Sequence, residues 1–138
     1  MAKTKTLRKL VDDVAVALQR LVRLKAANHE GYVRCVTCNA VKHWKEVDGG
    51  HFISRTHQAT KIMEENIHPQ CKGCNLRSGK GDTLVTLAYR KYMTEFYGEA
   101  FVIEMEGMAR HPVKHDRIEL EQLLKEYRAT AREIEGNL

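Results

Sequence analysis

Four cysteines occur in the chain, in two pairs, Cys35-x-x-Cys38 and Cys71-x-x-Cys74. A C-x-x-C turn points two thiolates at one ion, so two such pairs suit a tetrahedral four-sulfur zinc site. A site closed by four cysteines has no vacant position for a substrate, so this zinc would be structural. Between the pairs lie a D-G-G-H run ending at His51 and an N-I-H run starting at Asn66, and Asn75 follows the last cysteine directly. Hydrolysis of a phosphodiester needs a base for water, neutralisation of charge at the phosphate, and stabilisation of the leaving oxygen. His51 suits the first role, because an imidazole of pKa about 6.5 is mostly unprotonated at neutral pH. The other two suit a hard divalent cation, Mg2+ or Mn2+, held by few oxygen ligands with positions left open. Asn75 is the expected ligand, through its amide oxygen. Asn66 would brace the loop that holds His51, by hydrogen bonds to backbone.

The spacing from Asn66 to Cys71, followed by C-x-x-C and Asn75, resembles the second half of an HNH, or ββα-metal, nuclease motif with Asn in the final place. Within that superfamily, D-G-G-H-F and N-I-H-P-Q-C-K-G-C-N resemble the NinG (Rap) recombination endonucleases of lambdoid phages. The likeness runs from about Val33 to Ser78 and continues loosely into the C-terminal part. It implies a structure-selective DNA endonuclease acting on branched recombination intermediates such as Holliday junctions and D-loops, and, if phage-encoded, working in the host cytoplasm. One position departs from the superfamily pattern. Many of its members place an acidic metal ligand immediately before the base, where this chain has Gly50. Asp48 stands three residues before His51 instead, a spacing similar to the D-R-G-H nucleases. It is therefore expected near the catalytic ion, through water rather than as a direct ligand.

Arg55 lies four residues past His51 and on an extended strand would point to the same side, a candidate contact to phosphate or leaving group. Lys61, Arg77 and Lys80 are candidates for the DNA backbone, and each could equally be a solvated charge. His57 and His68 lie inside the insert and could touch metal or phosphate, whereas His29, His43, His111 and His115 read as surface or loop residues. The competing reading is a noncatalytic four-cysteine zinc module that binds nucleic acid. A dithiol redox protein fits less well, because neither C-x-x-C sits in a βαβ pattern.

The elements around the insert must supply the rest of the core. Residues 4–27 read as a helix with an apolar stripe of Leu7, Val11, Val14, Leu18 and Leu21, widened by Leu10, Ala17 and Leu24. Gly31 is an expected left-handed position after it. Val41–Val47 and His51–Ser54 suggest short strands broken at Gly49–Gly50, and a turn is expected at Pro69. A helix is expected to begin at the second cysteine pair. Beyond it, Leu84, Leu87, Ala88, Tyr92 and Phe96 form one helical stripe, and Glu99–Met108 a further short helix. Asp116 should cap a last helix bearing Leu120, Leu123, Leu124, Tyr127, Ala131 and Ile134.

The fold class is thus α+β. A zinc-pinned ββα core over residues 31–83 is flanked by an N-terminal helix (1–30) and a C-terminal helical region (84–138), within one compact domain. The two terminal stripes could close over the core or build a homodimer, and a dimer would suit paired cuts in a junction. No run approaches the roughly 20 apolar residues of a membrane span. The N-terminus reads as no secretory signal, and a cytoplasmic location is expected. The net charge of +5 is a weak nucleic-acid signal alone, with seven Lys/Arg against two Asp in residues 1–27 and eight against ten in residues 84–138.

Overall fold

The structure, a computed structural model, describes residues 4–138, so the first three residues of the 1–30 segment lie outside it. Helix α1 (Leu7–Ala26) begins where the Thr6 hydroxyl accepts the Lys9 N–H at 3.1 Å, a side-chain N-cap. Helix α6 (Arg117–Gly136) is capped in the same way, by Asp116 accepting the Glu119 N–H at 3.1 Å. Their apolar stripes pack on each other: Leu10, Val11, Val14 and Ala17 of α1 meet Leu120 and Leu124 of α6. Most of each stripe is thus covered within the chain. Each stripe needs a hydrophobic partner, and the other one is within reach. Leu7, at the outer end of the expected stripe, stays exposed.

The C-terminal half of α1 joins a second cluster, in which Leu18, Leu21, Val22 and Leu24 pack with Val33, Trp44, Val47, Ile67 and Ala131. Ala131 belongs to α6 and Trp44 to the turn between strands, while Val33, Val47 and Ile67 come from two small antiparallel sheets. Strands β1 (Tyr32–Arg34) and β2 (Val41–His43) form one, and β3 (Val47–His51) and β4 (Ile67–Cys71) the other. Gly31 precedes β1 with φ +89°, the left-handed value expected there.

The second sheet corrects two expectations. Gly49–Gly50 does not break a strand, and Pro69 does not make a turn; both lie mid-strand, with Gly49 opposite Pro69 and Gly50 opposite His68. The glycines are there for closeness. A Cβ on Gly49 would stand 2.8 Å from Gln19 Cβ of α1, and one on Gly50 would stand 1.9 Å from Gln70 Oε1. Pro69 is tolerated because the ladder alternates. The Phe52 N–H donates to the Asn66 carbonyl at 2.9 Å, so every second pair along the ladder is hydrogen-bonded and the Gly49–Pro69 pair is not. The missing N–H would have pointed away from β3, and the Pro69 carbonyl on that side accepts the Val36 N–H at 3.0 Å.

The polar stretch Thr56–Glu65, expected as loop, contains a one-turn helix α2 (Gln58–Lys61). Helix α3 (Lys72–Gly79) starts directly after β4, and α4 (Thr83–Tyr97) and α5 (Glu99–Met108) meet at Gly98, which has φ +91°. The buried face of α4 is Val85, Tyr89 and Met93, offset from the expected stripe; Leu84, Leu87 and Phe96 are exposed. What turns the helix is polar. The buried Tyr89 hydroxyl donates to the Gly50 carbonyl at 2.7 Å, and a buried phenol needs such a partner.

The close approach at β3 is testable by melting. Gly50→Ala should lose about 1–3 kcal/mol, the usual cost of overpacking. Gly73→Ala, where a Cβ would meet nothing within 4 Å on α3, should be neutral or slightly stabilising.

Candidate active site and metal centre

The four cysteines, far apart in sequence, converge. Cys35 ends the extension of β1, Cys38 lies in the turn before β2, Cys71 ends β4 and Cys74 lies in the first turn of α3. Their sulfur atoms all lie within 4.8 Å of one another, with Cys38 Sγ 3.7 Å from Cys71 Sγ. Tetrahedral zinc with Zn–S bonds of about 2.3 Å sets sulfurs about 3.8 Å apart, so the cluster fits that ion. The thiols also titrate as a crowded group. Burial pushes Cys35 up, but hydrogen bonds from Thr37 and from the Cys71, Thr37 and Cys38 backbone bring it down to about 6. The Ala40 N–H favours ionised Cys38, yet burial and the neighbouring sulfurs drive it up to about 12. All four could ionise together only with a cation between them. Arg77, a candidate for the DNA backbone, is exposed and places Nη2 3.5 Å from Cys74 Sγ, where its charge favours that thiolate.

Strand β3 and helix α3 then form one wall and floor of a cleft of about 960 Å3. Asp48 and His51 reach it from β3, and Asn75 from α3. Asn75 Nδ2 donates to Asp48 Oδ2 at 3.0 Å, and Lys72 Nζ stands 2.9 Å from Asp48 Oδ1. Burial pushes the Asp48 carboxyl up, but these two hydrogen bonds and the charges of Lys72 and Arg23 hold it below its ordinary value. The pair presents hard oxygen donors, a carboxylate and an amide, of the type that Mg2+ or Mn2+ takes. His51 Nε2 lies 2.8 Å from the Lys61 carbonyl. A carbonyl can only accept, so Nε2 carries the proton and Nδ1 holds the free lone pair. Burial is the main cause holding His51 below the usual imidazole value, and the nearby Arg55 and Lys61 charges add to it; the Lys61 carbonyl opposes them.

Asn66 is fully buried and uses its whole amide. Its Oδ1 accepts the Ile53 N–H at 2.8 Å, and its Nδ2 donates to the Ile53 and Thr60 carbonyls at 3.0 Å each. It therefore ties the segment just after His51 to the helix whose Lys61 carbonyl orients that imidazole. Two further expectations are corrected. Lys61 does not offer its ammonium to DNA, since the side chain is mostly buried and paired with Asp12 of α1. His68 does not reach DNA or metal either: it is 7% exposed, facing the tyrosines of α4. Tyr89 donates its proton to Gly50, so it accepts from His68 Nδ1–H at 3.2 Å; the Tyr97 hydroxyl then donates to Nε2 at 2.9 Å. The chain of bonds fixes a neutral imidazole behind the residue preceding His51. His57 is exposed on the loop that leads into α2.

Arg55 and Lys80 do line the cleft, joined by Arg23, Lys45 and Lys72, with Asp48 the one acidic lining residue. Arg23, on α1, is a cleft residue that the sequence did not single out. It lies over Trp44, 5.4 Å from the ring centroid, and its Nη1 donates to the Trp44 and Val47 carbonyls at 3.1 and 3.3 Å. The i, i+4 pair Gln19–Arg23 flanking the apolar stripe was the available signal.

A family model described as Bacteriophage Lambda NinG protein matches residues 1–137. The chain belongs to that family. Searches of curated proteins and of solved structures gave no match. No helix among the described residues is long and apolar enough to cross a membrane. The family assignment and the cysteine geometry agree on a NinG protein with four cysteines placed to bind a metal ion, consistent with structural zinc.

Two measurements follow from this geometry. Elemental analysis after dialysis should find one zinc per chain, and Cys71→Ser should lose it together with the cooperative melting transition, because structural zinc supplies folding free energy. A full-strength melt without zinc would contradict the assignment. His68 predicts a pH dependence. Its burial lowers the folded pKa to about 4, below the unfolded value of about 6.5. The unfolded state thus binds the proton first, and stability falls as pH drops from 6.5 towards 4, by up to about 3 kcal/mol. His68→Gln should flatten that part of a denaturant-midpoint profile.

Proposed function

We propose that the protein is a metal-dependent endodeoxyribonuclease with an HNH-like core, in which β3, β4 and α3 form the ββα unit. One observation carries this reading: a histidine with a free, oriented Nδ1 opens into the same basic cleft as an Asp–Asn pair of oxygen donors. Water in the cleft gives a proton to His51 Nδ1 as its oxygen bonds to phosphorus. The bond from phosphorus to one sugar oxygen breaks, and that oxygen takes a proton from solvent. Asn75, with Asp48 beside it, would hold a divalent cation, which supplies charge neutralisation at the phosphate and the leaving oxygen. Lys72, now on Asp48, is the charge such a cation displaces or joins. Asn66 keeps the Lys61 carbonyl behind His51, and Arg55 and Lys80 meet the DNA backbone. Selectivity for branched recombination intermediates is part of the proposal, supported by family membership.

Cleavage of a labelled four-way junction, beside linear duplex, with and without Mg2+ or Mn2+, tests it. His51→Ala should keep zinc, fold and DNA binding and lose at least about 10²-fold in rate. Asn75→Ala should also lose activity and regain part of it at raised divalent concentration, which His51→Ala should not. Wild-type rates in the His51 variant would return the protein to the noncatalytic zinc module.

A further inference from the structure

The positive charge of this chain is concentrated in two places. The cleft around His51 carries five cations against Asp48. A second groove, of about 650 Å3, lies between the start of α1 and the outer face of α6, and also carries five cations, against Glu121. The two share no lining residue. Each is thus net +4, and with a total of +5 the rest of the chain is net −3.

The second groove has a built order. Arg117, Lys125, Arg128 and Arg132 recur at helical spacing along one side of α6, over a rise of about 22 Å at 1.5 Å per residue. Among the described residues none of the four has a carboxylate within ion-pair distance, whereas Lys5, at the groove's edge, is paired with Asp13. Three guanidinium groups and one ammonium without an ion-pair partner, in a row whose length matches about six base-pair steps of 3.4 Å, fit the phosphate backbone of a duplex. The groove opens beside Lys5 and Leu10, and the His51 cleft beside Gln19 and Arg23, so the two are offset along α1 by roughly 20 Å.

We infer that the α1–α6 groove is a second seat for double-stranded DNA, holding one arm while another arm lies in the His51 cleft. This rests on the nuclease reading of the first cleft, but its test is a binding measurement that stands without cleavage. His51→Ala protein, which cannot consume the probe, is titrated by fluorescence anisotropy against a four-way junction and against a hairpin with a stem of about six base pairs, enough for one groove. Adding Arg128→Gln and Arg132→Gln should weaken junction binding by at least about tenfold and make its log–log salt slope shallower by about two, near 0.9 per lost phosphate contact. The same pair in the active chain should leave hairpin cleavage within about twofold of the parent rate. Zinc content and circular dichroism confirm folding, and Lys125→Gln with Arg128→Gln serves if the first pair disturbs α6. Unchanged junction affinity and slope would overturn the second seat and leave a solvated face. An equal loss on hairpin and junction would also overturn it, because the groove would then continue the first DNA path. A wild-type chain that binds the junction as expected but cleaves nothing would instead refute the nuclease reading alone.

Discussion

The sulfur atoms of Cys35, Cys38, Cys71 and Cys74 lie within 4.8 Å of one another, and as thiolates they would repel unless a cation sat among them. Everything proposed for the cleft depends on that constraint. Cys71 is the last residue of β4 and Cys74 lies in the first turn of α3, so the same cluster that holds the β1–β2 turn also fixes the angle at which α3 leaves the sheet. That angle brings Asn75, the next residue, to 3.0 Å from Asp48 on the neighbouring strand. The placing of the four cysteines thereby sets where Asp48 and Asn75 meet.

The opposite side of β3 is held without a metal. Gln19 presses on Gly49, Gln70 presses on Gly50, and Tyr89 takes the Gly50 carbonyl, itself backed by His68 and Tyr97. These contacts flank the residues on either side, Asp48 and His51, which face the cleft. Side chains at Gly49 and Gly50 would push the strand away from α1 and β4. Buried polar links of this kind are costly unless satisfied, and here each imidazole and phenol has its partner. Gln70 is the exception: its Nε2 donates to Thr37 at 3.3 Å, while its Oε1 is buried against Gly50 with no hydrogen-bond partner.

Charge shows the same dependence on tertiary packing. Along the chain, basic and acidic residues are interleaved, and the net excess looks diffuse. Folding α1 against α6 and β3 against α3 gathers cations from distant segments into two separate grooves. It also neutralises others: Lys61 turns to Asp12, and Arg20 to Glu135.

Local spacing and residue chemistry were enough to mark the four converging cysteines, the α+β class, the capped terminal helices and His51, Asn66 and Asn75 as candidates, because few residue types suit those places. Tertiary structure alone decided what lies between. Gly49–Gly50 and Pro69 read as breakers until the neighbours that require a bare backbone, and the outward-facing side of the ladder, are in view. Leu84, Leu87 and Phe96 looked like a core stripe, yet the hydrogen-bond demand of Tyr89 rotated α4 by about one residue and left them outside. His68 and Lys61 were chemically eligible for DNA and were taken by Tyr89, Tyr97 and Asp12 instead. Composition states which groups a residue can satisfy; only the fold states which partner arrives first.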